Sequence, residues 1–219
     1  MRILVIGSGG REHTLVWKIS KSPLVEKIYC APGNAGTHAL AQNVPIDAED
    51  IDALAAFAKE NHIDLTVVGP EGPLVKGIVD VFEALGLVAF GPSKAAAQLE
   101  GSKIFSKNHM RKYNVPCAMG KAFTDAAKAK IYAKALGAPC VVKADGLAAG
   151  KGVIMCATLE QAYQSIDEML TQNMFGDAGA VVVVEECLKG EDASFIALTD
   201  GKTVLLLPES QDHKRIFDN

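Results

Sequence analysis

Four short, mainly apolar runs, Ile3 to Ile6, Lys27 to Cys30, Leu65 to Val68 and Leu87 to Phe90, limit most sharply what this chain can fold into. Helical periodicity separates them, at 11–21, 50–61 and 74–85. Runs that are apolar on successive residues need burial on both faces, which a parallel sheet flanked by helices provides. The alternation of strand and helix predicts a doubly wound parallel sheet, an α/β fold, over the first hundred residues. The runs end in turn-forming residues, Gly7-Ser8-Gly9-Gly10, Ala31-Pro32-Gly33-Asn34-Ala35-Gly36 and Gly69-Pro70-Glu71-Gly72-Pro73. Open sheets of this kind bind ligands at those carboxyl ends.

The 219 residues are 49% hydrophobic, enough for one large or two small cores, and the net charge of −4 gives no basic face for nucleic acid. No apolar run approaches a membrane span. Met1-Arg2 and the short run after it do not form a signal h-region, and the five cysteines contain no C-x-x-C pair. Reduced thiols and a cytoplasmic location are expected.

Gly7-x-Gly9 after the first strand invites a dinucleotide reading, but two features oppose it. Glu12 stands where the third fingerprint glycine belongs, and Cys30-Ala31-Pro32 replaces the ribose-binding acid after the second strand. Arg11 beside free backbone N–H groups could still hold a small phosphate. An ordinary strand-to-helix turn with a solvated Arg11 is the equal alternative.

After Val115-Pro116 the pattern changes. A helix near 124–136 leads to the strand Val141-Val142-Lys143-Ala144, a loop Asp145-Gly146-Leu147-Ala148-Ala149-Gly150-Lys151-Gly152, and the return strand Val153-Ile154-Met155-Cys156. Glycines at 146, 150 and 152 let backbone N–H groups approach an anion, while Lys143 and Lys151 put charge on both sides. The spacing is not that of a P-loop, because Gly152 and a strand follow Lys151. A plain hairpin with a solvated lysine competes with the phosphate clamp on this segment alone. A helix at 158–171 and a strand at 181–185 follow. The acids Glu185, Glu186, Glu191 and Asp192 then form a connection whose backbone suits a purine edge and whose carboxylates suit ribose hydroxyls. A hairpin about Asp200-Gly201 is expected beyond it.

Together, Glu100-Gly101-Ser102-Lys103, Val142 to Val153, Glu185-Glu186 with Gly190-Glu191, and Ser210-Gln211-Asp212-His213-Lys214-Arg215 resemble the ATP-grasp ligases. Gly9-Gly10-Arg11-Glu12-His13, Ala31 to Gly36 and Val68-Gly69-Pro70-Glu71 narrow the likeness to the phosphoribosylamine–glycine ligase family, over the whole chain. The resemblance implies an N-terminal α/β domain at 1–100, a linker helix of the ATP-grasp core at 101–120, an α+β lid module at 121–190, and the start of an incomplete core at 191–219. It implies that glycine's carboxylate is phosphorylated by ATP and the acyl phosphate captured by 5-phosphoribosylamine, giving glycinamide ribonucleotide in purine biosynthesis.

By the same resemblance, Lys103 and Lys143 meet the ATP phosphates, and the loop with Gly146, Gly150, Lys151 and Gly152 closes over them. Glu185 and the backbone of Glu186 and Leu188 meet adenine, and Glu191 or Asp192 meets ribose. Gly9, Gly10, Arg11, Glu71, Asp212, Lys214 and Arg215 face the substrates. Mg²⁺ or Mn²⁺ ligands and a C-terminal domain are expected in sequence following these segments in the family, so no metal ligand is named here. The chain is expected to be an N-terminal half, inactive as a ligase by itself, with small-molecule partners and neither nucleic acid nor membrane among them.

Overall fold

The computed structural model describes residues 1–148, 151–172 and 174–211. The first unit is a five-stranded parallel sheet of β1 (Arg2–Gly7), β2 (Lys27–Pro32), β3 (Gln42–Asn43), β4 (Leu65–Val68) and β5 (Ala89–Phe90), in the order β3-β2-β1-β4-β5. Successive residues of β1 explain why the run is apolar throughout. Leu4 and Ile6 enter a core with Leu54, Ala55 and Ala58 of α2 (Ile51–Glu60) and Ile78, Val79 and Phe82 of α4 (Ile78–Ala84). Ile3 and Val5 point the other way, onto Val16 of α1 (Gly10–Ile19). All five residues from Leu4 through Ile6, Val16 and Phe82 are completely buried, with Val5 among them.

The expected helix at 74–85 is two helices. α3 (Glu71–Lys76) starts inside the Gly-Pro cluster, and Gly77, with φ of +97°, separates it from α4. Pro73 is tolerated because the first helical N–H groups need no intrahelical acceptor. α5 (Lys94–Gly101), capped by Ser93, packs against α3, and Ser102 then caps α6 (Lys103–Lys112) by accepting the Phe105 N–H at 3.1 Å.

The second unit is a four-stranded antiparallel sheet, β6-β9-β7-β8, built from β6 (Gly120–Phe123), β7 (Cys140–Ala144), β8 (Val153–Cys156) and β9 (Val182–Glu186). Its strands alternate. Cys140, Val142, Ala144, Cys156, Val182 and Val184 pack under α7 (Ala126–Leu136) and α8 (Leu159–Leu170), with Ile166 and Met169 completely buried between them. Val141, Lys143, Val153, Met155, Val183 and Glu185 therefore belong to the opposite face. A hairpin of β11 (Ala197–Thr199) and β12 (Val204–Leu206) lies in the chain between β10 (Ala193–Ser194) and β13 (Ser210–Gln211), which pair with each other. No helix among the described residues is long and apolar enough to cross a membrane.

Candidate functional site

The period of two in β7 and β9 decides which side chains meet. Val141 stands opposite Glu185 and Lys143 opposite Val183, so Lys143 and Glu185 are diagonal neighbours on the open face, where Lys143 Nζ pairs with Glu185 Oε1. The α6 helix reaches the same face. Its Lys107 Nζ lies 2.5 Å from Glu185 Oε2 and donates to the Ala118 carbonyl at 2.7 Å. One carboxylate, 4% exposed, thus carries two ammonium groups.

These residues line one wall of a cleft of about 1000 Å³. Lys103 and Lys143 lie in the wall together with Glu185, Glu186, Leu188, Glu191 and Asp192, so seven of the residues expected from sequence to meet a nucleotide line one cleft. Val141, Val153 and Met155 supply an apolar floor suited to a base. At the acidic end, Glu186 N–H donates to the Met119 carbonyl at 2.9 Å, and its Oε1 accepts from Met119 N–H at 2.7 Å. The Glu186 N–H and Oε1 are thus committed to Met119.

The root of the loop is pinned by a residue to which sequence reasoning gave no role. Asp145 Oδ1 accepts the Ile104 N–H at 2.8 Å, the Ser102 hydroxyl lies 3.1 Å from Oδ2, and the Asp145 carbonyl accepts Lys103 N–H at 3.3 Å. An acid held at the first turn of α6 also complements the helix dipole. Lys103 Nζ donates to the Gly146 carbonyl at 3.2 Å, so the helix start and the loop root form one assembly. Burial holds the Lys103 pKa below its ordinary 10.5; Asp145 and Glu100 pull it back up, and the nearby Lys143 adds to the fall.

The glycines have unequal reasons. A Cβ on Gly146 would stand 2.8 Å from Ala178 Cβ, and the Gly146 N–H already donates to the Ala178 carbonyl at 3.2 Å. Close packing demands glycine there, and that N–H is committed within the protein. Gly152 is packed similarly against Ala148 and Ala144, while the Lys151 side chain is exposed. Gly146, Lys151 and Gly152 lie in the loop, outside the lining of the cleft. Gly150, Asp212, Lys214 and Arg215 lie outside the described residues.

A second hollow, about 460 Å³, sits where the strand order reverses between β1 and β4 and is lined by Gly9, Gly10, Arg11 and Glu71 among others. Arg11 Nη1 donates to the Gly69 carbonyl at 2.9 Å and lies 3.7 Å from Glu71. Glu12 is buried, its Oε2 accepting the Gly9 N–H at 2.7 Å, and it fills the space beside Gly7 and Gly69 where a Cβ on either would collide with it. A carboxylate already holds the donor that a dinucleotide pyrophosphate would need. Among the described residues, no three His, Cys, Asp or Glu side chains converge to hold a metal ion.

A hairpin backed by two helices, with Lys143 on its inner strand and Lys103 at the start of a separate helix lining the same cleft, fits an ATP-grasp fold. The sequence agrees: residues 101–219 match the "Phosphoribosylglycinamide synthetase, ATP-grasp (A) domain" family, and residues 1–100 match the N domain of the same synthetase. This chain belongs to the phosphoribosylglycinamide synthetase family. It is 56% identical over its whole length to phosphoribosylamine–glycine ligases of Pasteurella multocida and Escherichia coli strain K12, covering 52% and 51% of those proteins. The chain thus spans about half the length of the curated relatives it matches. A phosphoribosylamine–glycine ligase crystal structure from Thermotoga maritima superposes with a TM-score of 0.77 at 28% identity, covering 95% of this chain and 49% of that one. The fold alone is shared with an ATP-complexed carboxyaminoimidazole ribonucleotide synthase from Aspergillus clavatus, at TM-score 0.75 and 18% identity, over 98% of this chain and 54% of that one.

Proposed function

We propose that this chain forms the nucleotide-holding part of a ligase that joins glycine to 5-phosphoribosylamine at the expense of ATP. The observation that carries the reading is the convergence of Lys103 and Lys143 in one cleft with the Glu186 to Asp192 connection. Phosphoryl transfer to a carboxylate asks a protein chiefly to position the reactants and neutralise charge, and two ammonium groups over an apolar floor do both. In this reading the adenine lies on Val141, Val153 and Met155, the ribose meets Glu191 or Asp192, and the phosphates meet Lys103 and Lys143. The loop carrying Gly146, Gly150, Lys151 and Gly152 closes over them and keeps water from the acyl phosphate. Glycine and 5-phosphoribosylamine meet the hollow of Gly9, Gly10, Arg11 and Glu71 and the segment with Asp212, Lys214 and Arg215. Mg²⁺ or Mn²⁺ accompanies the ATP. The cytoplasm is the proposed location, in keeping with five free cysteines, three of them buried.

Calorimetric titration with ATP and ADP tests the nucleotide site: both bind, and Lys103→Met and Lys143→Met each weaken ATP far more than adenosine. Absence of heat with either nucleotide would overturn the reading. ADP release requiring both glycine and 5-phosphoribosylamine, measured with the protein that carries this chain, tests the substrates. Equal release with another amino acid in place of glycine refutes that assignment.

A further inference from the structure

We infer that Lys107 is a positioning residue of the nucleotide site: it is the standing counter-ion of Glu185, and by holding that charge it releases Lys143 for the phosphates. The inference rests on the reading of Lys143 as a phosphate ligand.

Glu185 faces two lysines of unlike character. Lys107 is 9% exposed at its side chain and tied a second time, to the Ala118 carbonyl at 2.7 Å. Lys143 is 28% exposed and, like Lys107, lies in the cleft wall. Lys107 is therefore fixed and Lys143 is able to swing. Glu185 Oε2 accepts no aligned hydrogen bond from the described residues, so the Lys107 charge is its compensation.

A buried carboxylate cannot lose its last partner cheaply, because removing one member of a buried pair leaves an uncompensated charge in low dielectric. If Lys143 were the sole partner of Glu185, phosphate binding would have to strip that carboxylate bare. With Lys107 in place, Lys143 exchanges Glu185 for a phosphate oxygen while Glu185 stays neutralised. The second lysine converts a structural ion pair into a ligand-binding one. Nothing in the sequence spacing marks Lys107 for this role, since it lies on α6, far along the chain from Lys143.

The test compares ATP, ADP and adenosine binding in the full 219-residue chain, for wild type, Lys107→Met, Glu185→Gln and the double variant. Lys107→Met is expected to weaken ATP at least about tenfold, as a buried charge left uncompensated implies, with adenosine affinity unchanged. In the Glu185→Gln background the same substitution should have little effect, because the carboxylate that competes for Lys143 is gone. Equal weakening of ATP and adenosine, or the same loss in both backgrounds, would make Lys107 merely structural and overturn the inference. If Lys107→Met does not fold, the decision passes to Glu185→Gln. Its ratio of ATP to adenosine affinity should rise above that of wild type, and a fall overturns the idea. Failure of the wild type to bind ATP would instead refute the reading of the site itself.

Discussion

Replacing Asp145 should loosen the clamp without touching the nucleotide. Its carboxylate accepts the Ile104 N–H at 2.8 Å and meets the Ser102 hydroxyl at 3.1 Å, and it stands at the first turn of α6. A hydrogen bond to a charged group contributes about 1.5–3 kcal/mol and a helix-terminal charge about 0.3–1 kcal/mol. The site is half-buried, so water can replace part of what is lost. Asp145→Ala is therefore expected to destabilise by about 2 kcal/mol. Asp145→Asn keeps an acceptor for Ile104 and loses only the charge, for about 1 kcal/mol. Urea unfolding followed by circular dichroism gives the two differences. Amide hydrogen exchange over residues 100–106 locates them, because the Ile104 amide loses protection first in the Ala variant. Losses under 0.5 kcal/mol in both variants, or Asn as damaging as Ala, would refute the view that this carboxylate joins the loop to the helix.

Four further outcomes are expected. Because burial holds the Lys103 pKa below 10.5, ATP affinity should decline on the alkaline side before an exposed lysine would titrate. Lys103→Met should remove that decline, and an unchanged pH profile counts against it. Stability moves the other way: the unfolded chain holds the Lys103 proton more tightly, so this group favours folding as pH rises through the interval below 10.5. Burial, offset by a Thr37 hydrogen bond and reinforced by Glu12, pushes the Cys30 thiol up to about 11. Iodoacetamide at pH 8 should accordingly label Cys117 and Cys187 well before Cys30, as peptide mass spectrometry would show. Ile166→Ala empties a fully buried position on the inner face of α8 and should cost about 2–5 kcal/mol in the second unit. Trp17 reports on the first unit, whose cores are separate, so its fluorescence transition should hardly move.

The sequence carried the parallel sheet because each of its inner strands is apolar on successive residues, which only two-sided burial explains. It did not carry β3 or β6. Gln42-Asn43 is polar and two residues long, and Gly120-Lys121-Ala122-Phe123 is an edge strand with a glycine at its start. Strands of that kind are set by the partner they meet, here β2 and β9, and not by a local pattern. Gly120 shows the dependence directly: a Cβ there would stand 2.7 Å from the Val184 carbonyl, so its identity answers to a strand far along the chain. The break at Gly77 was equally hidden, because a glycine inside a helical period signals a kink only once its positive φ is known.

The candidate site divides along the same line. Lys143, Lys103 and the acids from 185 to 192 were legible because their neighbours in sequence form a recognisable clamp. Asp145 and Lys107 were not, because each acts on a residue from another element: Asp145 on the amide of Ile104, Lys107 on the carboxylate of Glu185. Both tie α6 to the antiparallel sheet, one at the loop root and one in the cleft wall. The groups that would touch ATP therefore reside on two elements whose relative placement is fixed by groups that would not touch it. A substitution at either tie should weaken phosphate binding while the ligand contacts themselves remain intact in sequence.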